Sequence, residues 1–385
     1  MSKTSAKKHN NERGSARLRF FDRYLGIPVV LVLSLFKKKN KVIPASIQRI
    51  AFLKTSAIGD TILLSAVVRD LKERYPDAHL TFFTGGSNHE AARLLSGIDR
   101  IIKLPVKNPL KAIRLVKDAG EFNVWIDFDS WPRLNAILTF FADADFKIGF
   151  KTKGQFRQYI YDLTVEHSGK IHELYNYKNL FKPLNIYGKN LPFIEGKIDI
   201  DSKDRMIVVH MFPGGSRSYL KEWSEENWMQ LINTLIDSGY KIYLTGSKAD
   251  RERALKIAEG VKDRDLIYVA AGERDLQETA QLLKSSKLVI SVDTGIMHLS
   301  SALGCNLISL HGPTSPKRWG PLNTNSISIQ SDSPCSPCLN LGFEDACRDN
   351  QCMRAIKVED VLEKFHEVLK DHKGDYLAKK TQPVF

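Results

Sequence analysis

From residue 48 onward the chain alternates short apolar runs with longer stretches of helical spacing. Arg49–Leu53 is a compact apolar run, and Ile62, Leu63, Ala66, Val67 and Leu71 predict an amphipathic helix over 61–75. Apolar runs recur at 79–83, 101–104 and 123–128. After a polar stretch around 188–204 the alternation restarts, with strands expected at 205–210, 241–245, 266–269, 287–292 and 307–310. Helical patterns at 225–238, 250–260, 276–285 and 295–303 separate them, and a last one at 359–372 is expected to cross back to the first half. Strands alternating with helices predict α/β halves built on parallel, doubly wound sheets. The expected organisation is a tail at 1–47, α/β halves at 48–195 and 196–354, and a terminal helix and tail at 355–385. Open α/β sheets bind ligands at the carboxyl ends of their strands, which points to a cleft between the halves.

Composition narrows the class without changing that picture. The chain has 385 residues, 43% of them hydrophobic, long enough for more than one core. No run approaches the roughly 20 apolar residues of a spanning helix. The net charge of +13 is unevenly placed: residues 1–41 hold eleven Lys and Arg against Glu12 and Asp22, which is +9, leaving +4 for the rest. The basic balance therefore belongs to an appendage and does not make the body a nucleic-acid binder. Within the tail, Tyr24–Phe36 is apolar and flanked by basic residues. It suits an anionic inner-leaflet surface, though a helix packed on the body is the plainer alternative. A secretory signal fits worse, since Lys37-Lys-Lys-Asn-Lys41 stands where a small-residue cleavage site belongs.

Three loops at strand ends carry candidate chemistry. Ser56-Ala-Ile-Gly-Asp60 opens a helix; Asp60 is either an N-cap or a carboxylate on the cleft floor able to act as a general base. Phe212-Pro-Gly-Gly-Ser-Arg-Ser-Tyr-Leu-Lys-Glu-Trp223 offers glycines for close backbone approach, with Ser216, Arg217 and Lys221 as donors to phosphate; a solvated surface loop is the alternative. Ser291-Val-Asp-Thr-Gly-Ile-Met-His298 joins a buried strand to a helix. There Thr294, Gly295 and the next N–H groups would face an anion, and Asp293 sugar hydroxyls. The alternative makes Asp293 a cap and His298 a packed core residue.

Together these loops resemble glycosyltransferase family 9, the bacterial heptosyltransferases of GT-B fold. The likeness runs from about Arg49 to Val361 and rests on Gly59-Asp60, Pro213-Gly-Gly-Ser-Arg with Lys221-Glu-Trp223, and Val292-Asp-Thr-Gly with His298. It implies two Rossmann-like domains with a cleft between them, the first for the acceptor and the second for the nucleotide-sugar donor. The implied reaction moves a heptose from ADP-heptose to a hydroxyl of the lipopolysaccharide inner core, with inversion and no catalytic metal. Carried onto this chain, Asp60 is the base. Lys221, with Ser216 and Arg217, holds the diphosphate; Gly59, Asp293, Thr294, Gly295 and His298 complete the site. Asp250, in Gly246-Ser-Lys-Ala-Asp250, stands where the family binds the ribose, and Arg274 near the adenine. The same fold with another nucleotide sugar, or a protein acceptor, is the alternative. The implied setting is the cytoplasmic face of the inner membrane in a Gram-negative-type bacterium, with the enzyme peripheral.

Cys335, Cys338, Cys347 and Cys352 cluster near the C-terminus. Structural zinc or iron, reduced thiols in a packed loop, and disulfides all remain open, and none would be catalytic. Lys147, Lys151, Lys153 and Arg157 read as a basic loop, either a solvated face or a contact for an acidic acceptor.

Overall fold

The apolar runs of the two halves pair into two six-stranded sheets, parallel throughout. The computed structural model describes residues 16–38, 41–196, 205–215, 217–340, 347 and 349–380. The first sheet contains β1 (Arg49–Lys54), β2 (His79–Thr84), β3 (Arg100–Lys103), β4 (Phe122–Asp127), β5 (Ala144–Lys151) and β6 (Leu163–Glu166). The second contains β7 (Met206–His210), β8 (Lys241–Leu244), β9 (Ile267–Val269), β10 (Leu288–Val292), β11 (Leu307–His311) and β12 (Ser326–Gln330). The orders are β3-β2-β1-β4-β5-β6 and β12-β11-β10-β7-β8-β9. Each sheet therefore reverses its winding between its first and fourth strands. β1 pairs with both β2 and β4, and β7 with both β8 and β10. At such a reversal the connections leave on opposite faces and open a crevice at the carboxyl ends. The loops after β1, β7 and β10 all open there.

β5, β6 and β12 were not among the expected strands. β5 is buried at Ala144, Phe146 and Ile148–Phe150 and exposed at Asp145 and Lys151, so its lysines lie on a strand and not in a basic loop. The C-terminal helix Val358–Lys380 also departs from expectation. Val361, Phe365 and Val368 join the core of the second half, and the Phe365 ring meets Tyr240 edge-on at 5.4 Å, so its described side chains do not cross back.

The helix Ile58–Arg74 is buried nearly all round, including Gly59, Thr61, Ser65 and Asp70. Its apolar face lies on the first sheet, and its other face meets the second half. One core cluster runs through both halves, joining Phe52, Leu64 and Val67 to Leu283, Met297 and Leu303. Burial on this scale stabilises by about 25 cal/mol per Å² of apolar surface, so the halves share one hydrophobic interface. Polar contacts reinforce it. Arg318 of the second half donates to the carbonyls of Ser168 (3.0 Å) and Ile171 (2.8 Å) and pairs with Glu173 at 2.8 Å. His172 Nε2 meets the Gly320 carbonyl at 3.0 Å.

The N-terminal segment is no free tail. Helices Ala16–Tyr24 and Gly26–Leu35 form one kinked helical segment, since Leu25 is itself helical and Pro28 has no N–H to donate to the preceding turn; its Val30 packs with Ala136, Ile160 and Tyr161. Gly26 is required, because a Cβ there would lie 2.8 Å from Arg133 Cβ. Asp22 accepts from Arg133 Nη1 (3.2 Å) and Leu134 N (3.0 Å), and Lys41 donates to the Ala144 carbonyl at 2.7 Å. No described helix is long and apolar enough to cross a membrane.

The two helix N-termini at the crevice touch. A Cβ on Gly59 would lie 2.5 Å from His298 Cδ2, and one on Gly295 would lie 2.8 Å from Ile58 Cβ. Gly59→Ala should therefore cost about 1–3 kcal/mol of stability by overpacking, and much less in a His298→Ala background. Urea unfolding of the four proteins of this cycle measures it; equal costs in both backgrounds would contradict the contact.

Candidate active site

β1 ends in a buried lysine. Lys54 Nζ lies 2.7 Å from Asp129 Oδ1 and 3.0 Å from Asp60 Oδ2. Asp129 follows β4, the neighbour of β1, and also accepts from Thr55 N at 2.9 Å and Asn135 Nδ2 at 2.6 Å. Behind it, buried Arg157 pairs with Asp127 and donates to the Asp129 carbonyl, and Tyr161 donates to Asp127 at 2.7 Å. Arg157 is thus a buried partner of carboxylates and not a cation offered to an acceptor. Lys147 likewise turns inward, donating to the Phe140 carbonyl at 3.0 Å, and burial lowers its ammonium to about 8. Lys151 pairs with Glu166 at 2.6 Å.

Asp60 sits in the first turn of its helix without capping it; Ala57 holds the N-cap position at φ +69°. A non-glycine residue with positive φ is costly and persists only where its surroundings fix it. About a fifth of the Asp60 side chain remains exposed. Burial drives its carboxyl above the ordinary value; Lys54 opposes the rise and the Glu173 charge adds to it. The Tyr177 ring lies 5.7 Å from Lys54 Nζ. For Lys54, burial opposes the charge, but Asp129 and Asp60 outweigh it and hold the ammonium above its usual range. The arrangement is a partly exposed carboxylate of raised basicity, fixed by a buried cation. Raised basicity and partial exposure are what a general base needs to reach and take a proton.

Across the crevice, Lys221 Nζ donates to the Asp293 carbonyl at 3.0 Å and lies 3.7 Å from its carboxylate. This ties the loop after β7 to the loop after β10. Burial opposes ionisation of Asp293, but Lys221 prevails and holds the carboxyl below the ordinary range. Thr294, not Asp293, caps the helix Gly295–Ala302, its hydroxyl accepting from Ile296 N (3.1 Å) and Met297 N (3.4 Å). His298 is buried against Gly59; burial brings its imidazole down to about 3, so the ring packs as a neutral group. Of the neighbours of Lys221, Glu222 forms a two-pronged pair with Arg253 (3.0 and 2.9 Å), and Trp223 donates to the Ile356 carbonyl at 2.9 Å. Those two residues hold the loop; Lys221 is the one turned to the crevice. Arg217 adopts φ +52° at the start of the turn Ser218–Lys221, and Ser216 lies outside the described residues.

Asp250 is buried, and its carboxylate accepts from Ser247 N (2.8 Å) and Ser247 Oγ (2.6 Å) in a capping box. Its oxygen Oδ2 thus serves the local turn. Arg274 lines an open cavity of about 570 Å³ at edge strand β9, beside the stacked rings of Tyr243 and Tyr268. None of the three loops lines that cavity. Cys335, Cys338, Cys347 and Cys352 are unbridged in this structure. Among the described residues no group of three or more His, Cys, Asp or Glu is placed to hold a metal ion. Sequence reasoning singled out neither Lys54, Asp129, Tyr177 nor Glu173. The available signal was a lysine closing an apolar strand, where burial demands a partner.

The model of glycosyltransferase family 9 (heptosyltransferase) matches residues 132–344, which include Lys221, Asp293 and Thr294. The chain is 25% identical over 322 residues to lipopolysaccharide heptosyltransferase 1 of Salmonella typhimurium, covering 77% of this chain and 97% of that protein. It is 22% identical to lipopolysaccharide heptosyltransferase 2 of the same organism, over 84% of this chain and 99% of that protein. A 130-residue stretch is 33% identical to heptosyltransferase 1 of Pseudomonas aeruginosa, covering 34% of this chain and 36% of that one. The solved structure of Escherichia coli ADP-heptose heptosyltransferase II superposes with TM-score 0.68 at 18% identity, covering 85% of this chain and 100% of that one. An Escherichia coli heptosyltransferase with ADP gives TM-score 0.66 at 22% identity, over 83% and 100%. These structures share the two-sheet GT-B architecture. By its sequence match and its fold, the chain belongs to glycosyltransferase family 9, the heptosyltransferases.

Proposed function

We propose that this enzyme moves a heptose from ADP-heptose to a hydroxyl of the lipopolysaccharide inner core by a single inverting displacement. The observation that carries the reading is the pairing across the crevice. A carboxylate of raised basicity, Asp60, opens one helix, and the Lys221–Asp293 pair borders the N-terminus of another helix in contact with the first. Whole-length similarity to enzymes named for this transfer supports the choice of sugar and acceptor.

In the proposed step the acceptor oxygen attacks the anomeric carbon as its proton passes to Asp60. The bond from that carbon to the diphosphate oxygen breaks, and ADP leaves with the electron pair. Lys221 and the N-terminus of helix Gly295–Ala302 offset the charge that develops on the diphosphate, so the step does not call for a metal ion. In this reading Arg217 and Thr294 serve the phosphate side. Asp293 meets donor-sugar hydroxyls, and Asp250 the ribose. Attack from the Asp60 side and departure on the Lys221 side give inversion.

Titration calorimetry with ADP, GDP and UDP tests the donor assignment. ADP should bind best, and Lys221→Ala should weaken it several-fold. Preference for another nucleotide would overturn the donor. Asp60→Asn should bind ADP like wild type while kcat falls by about 10²–10⁴; retained turnover would overturn the base.

A pH profile tests the role of the buried cation. Asp60 must be ionised to act, so the acid limb of kcat/KM follows its carboxyl. Lys54 opposes the rise that burial imposes. Removing it in Lys54→Met should raise that carboxyl further and move the acid limb to higher pH. An unmoved limb, or one shifted to lower pH, would contradict the assignment.

A further inference from the structure

The N-terminal helical segment has two faces. Toward the protein, Gly26 and Val30 are sealed against the helix Arg133–Phe141, and Asp22, Lys37 and Lys41 fasten the segment to the acceptor half. Away from it, Phe21 (54% exposed), Leu25 (60%), Val32 (55%), Leu35 (81%) and Phe36 (73%) stand in the open. So many large apolar side chains gathered on one short segment mark a contact surface and not ordinary scatter. Its charge selects the occupant. Residues 1–41 carry +9, and exposed Arg23 and Lys38 flank the apolar face. A bare apolar face with a basic border matches the interface of an anionic bilayer.

We propose that this helical segment is an interfacial membrane anchor that seats the acceptor half on an anionic lipid surface. It is joined to the site by few contacts. Asn135, on the helix that Val30 packs against, bonds Asp129; Asp129 holds Lys54; and Lys54 holds Asp60. A bilayer bound by this segment therefore lies against the half that carries the base, so a lipid-linked acceptor is presented to that half. This last step rests on the proposed transfer; the anchor itself does not.

The test uses the full chain and vesicles of phosphatidylethanolamine with phosphatidylglycerol, compared with pure phosphatidylcholine. Co-sedimentation should show binding to the anionic vesicles that weakens with salt. The triple variant Phe21→Asp, Val32→Asp, Leu35→Asp changes only exposed side chains and should keep the wild-type melting temperature. Its vesicle affinity should fall at least about tenfold. Turnover on a soluble acceptor fragment should stay unchanged, while turnover on vesicle-embedded acceptor falls. Wild-type protein that ignores anionic vesicles, or a triple variant that binds them as well as wild type, would overturn the anchor. So would a dimer that the triple variant dissolves without any vesicle binding, since a second copy would then cover the face. Vesicle binding by this face in a protein that transfers no heptose would leave the anchor standing and remove the transfer reading.

Discussion

The contact between two helix N-termini is the constraint on which the site depends. Gly59 lies under the His298 ring and Gly295 under Ile58, and neither position has room for a Cβ. Because each helix starts directly after a central strand, this contact brings the carboxyl ends of β1 and β10 to one crevice. Both sheets reverse their winding beside those strands, so the crevice is open where the helices meet. The shared core and the Arg318–Glu173 pair hold the halves in that relation. A bulkier residue at either glycine would part the two sides of the chemistry before it disturbed either sheet.

Electrostatics around Asp60 follows from the same geometry. The strand ends bury Lys54, Asp127, Asp129 and Arg157 together, and each charge is answered by a neighbour. Unanswered, any one of them would be costly to bury. Lys54 is shared between Asp129, which is fully engaged, and Asp60, which is partly exposed. The result is a carboxylate raised by burial, with one buried cation opposing the rise. On the Lys221 side the balance runs the other way, with Lys221 holding Asp293 ionised. One carboxylate is suited to take a proton and the other to accept hydrogen bonds.

The fold class and the three strand-end loops were legible because apolar runs broken by Gly, Asp and Ser have a plain local signature. What was not legible involves partners distant in sequence. Lys54 and Asp129 stand 75 positions apart and meet only because β1 pairs with β4. The helix Ile58–Arg74 was expected to keep a polar face, but the second half covers it, and local periodicity cannot register that. β5 was missed because Asp145, Lys147 and Lys151 interrupt a run whose burial shows only in the sheet. The tail was read by charge, which is correct as composition. Its fastening through Asp22, Lys37 and Lys41 could not be read, since all three bond residues about a hundred positions away.

The most direct test of a single displacement with Asp60 as base is the anomeric configuration of the first-formed product, read by NMR early in turnover. The account predicts a configuration opposite to that of the donor. Retained configuration would require a second displacement, and would contradict a mechanism in which Asp60 takes only a proton.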